Sequence, residues 1–394
     1  MDSDLPSVLV LDANQRSALA VTRSLGRSGQ FRITTADASA QALAGASRYS
    51  QAYLQHPDPG QRPREFIAWI KDLTAHQHFD LVMPTTEVTS QLLLFYQEEL
   101  PELELPFAPY TTVMALSDKI ALVELAKNLG IAVPESRMFK NAAELEGVSL
   151  RYPFVLKPAL SRIYTGEKWV HTHVKVIQDA AGLQAALERS PYLQTTPFML
   201  QSFIPGHGGG IFCLYNNGHP LQFFAHERLR EKPPEGGVSV LCRSVPADPE
   251  LKATAQKLLG AVNWHGVAMV EFRITPEGKA YLMEVNTRFW GSLQLAVDSG
   301  VDFPLMLAKA QLGLSVSSTE NYRTDQRLRW LLGDLDSLYL YLKRRQPWIK
   351  KMMRLISFFS IRFRHQKHEV NRLDDLMPAW LEFKQYIRAL VKQC

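Results

Sequence analysis

The apolar positions of the first hundred residues alternate between two spacings. Residues 7–11 form a short apolar run that ends at Asp12, the signature of a buried strand. Residues 16–26 have helical spacing, with Gly26 as the stop. Residues 31–35 and 79–84 are further strand candidates, and the stretch 66–73 between them is helical. Strands alternating with helices predict a parallel, doubly wound sheet. The first strand is not followed by G-x-G-x-x-G, so this α/β unit lacks a dinucleotide fingerprint.

Beyond it the pattern changes. Residues 113–130 read as one helix, broken by 131–134. A short strand, 153–158, carries a single lysine, and 198–201 is another strand, followed by a glycine cluster at 206–210 that suits a tight turn. Then comes a β-rich run: 211–215, 221–226 and 238–245. A helix at 249–262 precedes two strands, 267–274 and 279–286, joined across Thr275-Pro276-Glu277-Gly278, a turn composition. Residues 301–312 are helical.

That last hairpin holds the strongest chemical signal. Glu284 and Asn286 are two apart on one strand and share a face. A two-residue loop at Glu277-Gly278 sets Glu271 opposite Glu284; a four-residue loop sets it opposite Leu282. Either register gathers two carboxylates and an amide oxygen, a hard-oxygen set suited to Mg²⁺ beside phosphates. Arg288 follows as a phosphate partner. A solvated strand face with scattered acids has the same pattern. Lys157 ends an apolar strand, and Lys119 follows Ser117-Asp118 at a helix start. Both suit an anion, and snorkelling to solvent is the competing account. The polar segment 159–168 lies between strands and suits a cover over phosphates, although it is no Walker A loop.

In this order the motifs resemble the ATP-grasp superfamily, in its carboxylate–amine ligase branch with a carbamoyl-phosphate-synthase-like nucleotide domain. Ser117-Asp118-Lys119 and Phe154-Val155-Leu156-Lys157-Pro158 resemble the two lysine motifs. Leu200-Gln201-Ser202-Phe203-Ile204-Pro205-Gly206 resembles the adenine linker, and Glu271-Phe272-Arg273 with Met283-Glu284-Val285-Asn286-Thr287-Arg288 resembles the metal strands. The resemblance spans about residues 1–315. It implies a pre-ATP-grasp α/β domain at 1–112, two α+β ATP-grasp lobes at 113–200 and 201–318, and a helical, basic extension at 319–394. It further implies that Lys119 and Lys157 hold ATP phosphates and that Gln201, Phe203 and Ile204 read adenine. Glu271, Glu284 and Asn286 would hold two Mg²⁺, with Mn²⁺ as a substitute, and Arg288 would stabilise the transferred phosphate. The segment 159–168 becomes a mobile loop. This chain departs from the pattern in Ser202, where many members have Glu, and in Gly208, where many place a ribose-binding acid.

The implied activity is amide or peptide-like bond formation through an acyl phosphate. An ATP-grasp carboxylase or carbamoyl-type enzyme, a phosphotransferase, and a nucleotide-binding scaffold acting through the tail are the alternatives. The partners would be a small-molecule or polymer-linked carboxylate and an amine, and a homodimer is compatible with them. The charged tract His226-Glu227-Arg228-Leu229-Arg230 and Arg243 supply substrate candidates. Arg243 ranks first with Lys157 and Arg288 as catalytic, because it interrupts an apolar strand; salt bridging to Glu227 or Glu231 is the structural account of the same residue. Thr85, Thr86 and Glu87 follow a strand end and border the site from the first domain.

Composition adds three limits. Hydrophobic residues make up 46% and charged residues 21%, as in a globular chain rather than a disordered one. Three scattered cysteines make no disulfide framework or zinc site and fit a reducing cytoplasm. The acidic start, Met1-Asp2-Ser3-Asp4, is unlike a signal peptide, and no run approaches the ~18–20 apolar residues of a membrane span. The net charge of +5 concentrates in the tail: thirteen Lys/Arg lie between Arg323 and Arg372, opposed by Asp325, Asp334, Asp336 and Glu369. Residues 348–365 alternate basic with large apolar residues, which suits peripheral contact with the inner face of a membrane or a cover over the body. No nucleic-acid motif accompanies them.

Overall fold

The computed structural model describes residues 5–234, 236–360 and 365–393. Residues 361–364 of the basic stretch and Cys394 lie outside the described residues.

The first unit runs β1 (Ser7–Val10), α1 (Arg16–Ser28), β2 (Arg32–Asp37), β3 (Ala52–Gln55), α2 (Pro63–His76), β4 (Leu81–Met83) and α3 (Glu87–Phe95). The strands form a parallel sheet in the order β3-β2-β1-β4, as the alternation predicts. Helix α1 does not stop at Gly26. It continues to Ser28 and closes on Gly29 in the left-handed region, φ 65°. Gly26 serves packing instead: a Cβ there would sit 2.4 Å from Cβ of Tyr49.

The single helix expected at 113–130 is two, α4 (Tyr110–Ser117) and α5 (Lys119–Asn128). Asp118 separates them because its carboxylate accepts from the amides of Ile120 and Ala121, capping α5. Next come β5 (Ser136–Phe139), β6 (Phe154–Pro158), β7 (Arg162–Tyr164), β8 (Trp169–His171), β9 (Lys175–Ile177), α6 (Ala180–Glu188) and β10 (Phe198–Ser202). Four of these strands form an antiparallel sheet, β5-β10-β6-β9, over a small core of Phe139, Phe154, Leu156, Phe198 and Leu200. Strands β7 and β8 make a separate hairpin.

The third unit is larger. It contains β11 (His207–Asn216), β12 (His219–Lys232), β13 (Val238–Val245), α7 (Pro249–Ala261), β14 (Gly266–Ile274), β15 (Ala280–Asn286), α8 (Leu293–Ser299) and α9 (Phe303–Gln311). The chain continues through β16 (Arg327–Arg329), α10 (Leu331–Lys343), α11 (Trp348–Phe359), β17 (Gln366–His368) and α12 (Met377–Gln393). Seven strands join in the order β15-β14-β11-β12-β13-β16-β17. The glycine cluster is therefore not a turn but the start of β11, paired with β14. Gly206 is required there: its φ is 132°, and a Cβ would lie 2.0 Å from the carbonyl oxygen of Ile274.

The C-terminal segment is mostly helical, as expected, and its short strands β16 and β17 also extend the large sheet. Its charges are also not simply solvated. Arg23, on α1, is fully buried and pairs with Asp375 at 2.8 Å. The guanidinium also donates to the carbonyls of Glu369, Val370 and Asp375. Asp375 in turn accepts from Ser47 Oγ and the Arg48 amide. Asp334, fully buried, gathers Arg230, Arg329 and Arg354. Among the described residues, no helix is long and apolar enough to cross a membrane.

Breaking a buried pair by removing one partner strands the other charge. Arg23→Met is therefore expected to lower unfolding stability by about 3–5 kcal/mol, read as a fall in the urea midpoint.

Candidate functional site

The β14–β15 hairpin sets the geometry. The turn is neither of the two expected loops. Ile274 pairs with Ala280, Thr275 N donates to Lys279 O at 2.9 Å, and Gly278 has φ 87°, so the loop is the three residues Pro276, Glu277 and Gly278. Carried on unbroken, that register would oppose Glu271 with Met283 and turn Glu284 to the other face. The ladder shifts between Glu271 and Phe272, and Met283 is the extra residue. This bulge restores Glu271 opposite Glu284, and Met269 then faces Asn286.

On the shared face, Asn286 Nδ2 donates to Glu271 Oε1 at 3.0 Å, and Arg228 Nη2 donates to Glu271 Oε2 at 2.9 Å. Arg288 Nη2 reaches Asn286 Oδ1 at 3.4 Å. Burial and the charge of Glu284 push the Glu271 carboxyl above its ordinary range, against the pull of Arg228 and Arg288. Glu271, Glu284 and Asn286 line a cleft of about 370 Å³ with Arg16, Arg228 and Arg288. Among the described residues, no three His, Cys, Asp or Glu side chains converge as a metal cluster. Two carboxylates and one amide oxygen instead make an incomplete oxygen shell, which suits an ion that takes its remaining ligands from phosphate and water.

The lysines come from elsewhere. Lys157, on β6 opposite Met199, and Lys119, at the first position of α5, are both buried. Lys119 Nζ donates to Ser161 Oγ at 2.8 Å, and its backbone amide to Ala159 O. Burial lowers the Lys157 ammonium to about 8; Glu284 and Glu271 raise it, and Lys119 lowers it. Lys157 on the small sheet is thus within electrostatic reach of Glu284 and Glu271 on the large one.

The remaining expected residues divide. Gln201 is buried, with Nε2 donating to Ser136 Oγ at 3.0 Å, and its Oε1 has no partner. Phe203 is exposed, while the Ile204 carbonyl accepts from Arg273 Nε at 3.2 Å. Arg243 is not brought to the cleft. It lies across the ladder from Glu227, pairs with Glu227 and Asp325, and is half-buried on the opposite face. The ranking of Arg243 over Arg228 is thus reversed: Arg228 shares a face with His226, two residues before it, and both line the cleft. His226 stacks on Phe212 at 4.6 Å and meets Ser292 Oγ at 3.0 Å; burial, then Arg228, lowers it to about 3, so it is neutral.

The segment expected as an irregular loop over phosphates is largely the β7–β8 hairpin. It docks on the first unit: Trp169 Nε1 donates to Pro59 O, Tyr164 Oη meets Tyr96 Oη, and Arg64 donates to Gly166 O. Beneath it lies a second cleft of about 580 Å³. Thr85, Thr86 and Glu87 line this cleft, together with Asp12, Asp37, Asp58, Arg16, Arg162 and Arg288. The amides of Thr85 and Thr86 and the hydroxyls of Thr86 and Thr89 all donate to the Asp12 carboxylate, which fastens the ends of β1 and β4 together.

Arg16 is the residue that sequence reasoning missed. It lines both clefts, is paired with Glu369, and stacks at 3.8 Å over Trp330. Its position just beyond the carboxyl end of the first strand was the available signal.

Comparisons with known proteins agree with this fold. Residues 194–333 match a family described as ATP-grasp in the biosynthetic pathway with Ter operon. A D-alanine–D-alanine ligase from Syntrophotalea carbinolica is 28% identical over 204 residues, 47% of this chain and 62% of that protein. The chain spans 53% and 52% of two other curated relatives it matches. The crystal structure of an L-amino acid ligase from Bacillus licheniformis superposes with a TM-score of 0.61 at 20% identity, covering 78% of this chain and 74% of that one. An ADP complex of N5-carboxyaminoimidazole ribonucleotide synthetase superposes with a TM-score of 0.61 at 16% identity, covering 82% and 81%. The molecule has the ATP-grasp fold, and the superfamily resemblance of its motifs is borne out.

The lowered Lys157 ammonium gives a stability test with a definite sign. The folded protein holds this proton less tightly than the unfolded chain, whose lysine keeps its ordinary value of 10.5. Stability therefore rises as pH climbs from about 8 to 10.5. Lys157→Met is expected to remove that rise and to stabilise the protein at pH 7 by on the order of 1–3 kcal/mol in urea unfolding. The same variant is expected to weaken ATP binding at least tenfold, read with a fluorescent nucleotide.

Proposed function

We propose that this chain is an ATP-dependent carboxylate–amine ligase that forms an amide or peptide-like bond through an acyl phosphate. The carrying observation is a carboxylate pair with an amide, Arg228 and Arg288 on one cleft that adjoins a second, with the buried Lys157 within electrostatic reach of both carboxylates and of Lys119. The domain division at 112, 200 and 318 belongs to the same proposal, with the first domain bordering the acceptor cleft.

The residues act as follows. Lys119 and Lys157 bind the ATP phosphates, and Gln201 with the backbone at Phe203 and Ile204 holds the adenine. Glu271, Glu284 and Asn286 hold two Mg²⁺, with Mn²⁺ able to substitute. When bound, the ions supply charge neutralisation between the phosphates and the incoming carboxylate. Arg288 spans both clefts and stabilises charge on the transferring phosphoryl group. Arg228 opposes the upward push that burial and Glu284 exert on the Glu271 carboxyl.

The chemistry explains why such a site needs no dedicated nucleophilic side chain. A carboxylate oxygen is a poor leaving group, so an amine does not displace it at neutral pH. Attack of the substrate carboxylate on the γ-phosphorus expels ADP and creates a good leaving group. The amine then attacks the acyl carbon and phosphate departs. The docked β7–β8 hairpin shields the acyl phosphate from water. In the second cleft, Arg16 and Arg288 suit the carboxylate, and Asp37, Asp58 and Glu87 suit the amine. The acid is a small molecule or a group on a polymer.

Release of ADP and phosphate from Mg²⁺-ATP across panels of carboxylates and amines tests the proposal. Turnover is expected only when both an acid and an amine are present, and Glu284→Ala should abolish it. Phosphate release without need of an amine, or ATP binding with no turnover for any pair, would count against ligation. In the active assay, Arg228→Ala should reduce kcat/KM at least 100-fold, whereas Arg243→Ala should change it less than about threefold.

A further inference from the structure

Helix α11 is mounted inside out. The side that carries Arg354 and Phe358 faces the protein: Arg354 Nη2 reaches the buried Asp334 at 2.9 Å, Arg230 donates to the Ser357 carbonyl, and Arg329 lies 4.3 Å over the ring of the buried Phe358. Its apolar side faces solvent. Trp348, Ile349, Met352, Met353, Ile356 and Phe359 are between 44% and 72% exposed. At about 100° per residue these six occupy one stripe about 140° wide. Lys350 and Lys351 fall about 60° beyond its two borders, one on each side.

The neighbouring helices continue the pattern. Asp334 and Asp336, two residues apart on α10, reach α11 through Arg354 and α12 through Tyr386 Oη. Helices α11 and α12 therefore flank α10 on opposite sides. Helix α10 exposes Leu335 and Tyr339, and α12 exposes Trp380, Phe383 and Ile387. So much exposed apolar surface on one segment marks an interaction site.

The geometry points to an anionic lipid bilayer as the occupant, with α11 lying in the plane of the interface. Charge decides among candidates. From Ser337 to His368 the chain has nine Lys/Arg and no Asp or Glu. A second copy placed symmetrically on this stripe would set like charge against like. Anionic headgroups match both lysine borders, while the six apolar side chains enter the acyl boundary between them. A helix of 12 residues, about 18 Å long, is too short to span a membrane and suited to lying in its surface. The inference is independent of the ligase reading and would place the clefts beside a membrane-borne or membrane-proximal acceptor.

Co-sedimentation of the full chain with vesicles tests this. Vesicles of phosphatidylcholine with one quarter phosphatidylglycerol should bind at least tenfold more tightly than pure phosphatidylcholine, and 0.5 M salt should reduce the difference. The triple variant Ile349→Glu, Met353→Glu, Ile356→Glu should lose at least tenfold in partitioning while keeping its urea midpoint and ATP affinity, since all three side chains are exposed. Lys350→Glu with Lys351→Glu should cut binding to the anionic vesicles by at least tenfold and leave binding to pure phosphatidylcholine within threefold. Absence of binding to both vesicles, or equal binding by the triple variant, overturns the inference. A dimer in light scattering that the triple variant converts to monomer also overturns it, by assigning the stripe to a second copy.

Discussion

Glu271 and Glu284 stand directly opposite one another on adjacent strands, a cross-strand arrangement of like charges that is unfavourable by itself. It persists because cations from separate elements close in on it. Arg228 comes from β12, Lys157 from the facing small sheet, and Arg288 from the chain just beyond β15. Lys157 of the small sheet and the two carboxylates of the large sheet thereby attract one another. The compensation is incomplete: burial and the neighbouring carboxylate still push Glu271 up, and burial still pulls Lys157 down. A site left in that condition favours incoming cations and phosphates, each of which relieves one side of the imbalance.

The C-terminal segment completes this arrangement. Glu369 and Trp330 hold Arg16 from opposite sides, one by charge and the other by stacking, so the guanidinium is fixed at the junction of both clefts. The anchor of that segment is the buried pair Arg23–Asp375, whose carboxylate also ties the loop at Ser47 and Arg48. The strands β16 and β17 bring the same segment onto the large sheet. A tail that reads as an appended basic extension in this way holds Arg16, a residue of both cleft walls, in place. Helix α11 keeps its apolar side turned away from the body.

Much of the candidate site is legible along the chain because its residues fall at short intervals. Glu284, Asn286 and Arg288 alternate on one strand and its continuation, and a period of two suffices to put them on a common face. Lys119 and Lys157 stand out because each interrupts or borders an apolar run, where an ammonium needs an anion. Arg243 met the same criterion and misled, since its cross-strand partner Glu227 neutralises it on the outer face. Arg16 gave a weaker signal, because a basic residue at a helix start is ordinary until the chain 353 positions later supplies its carboxylate.

The amino-acid order by itself determined the alternation of strands and helices, the hairpin with its acids, and the separation of a basic tail from the rest. These follow from local periodicity, turn chemistry and the rule that a charge in an apolar run needs a partner. Tertiary structure decided the extra residue at Met283, the choice of Arg228 over Arg243, the docking of the β7–β8 hairpin, and the outward apolar face of α11. Each of those depends on which strand or helix lies alongside. A single bulged residue, or one partner brought from the far end of the chain, reverses a side chain's face without altering the pattern read along the sequence.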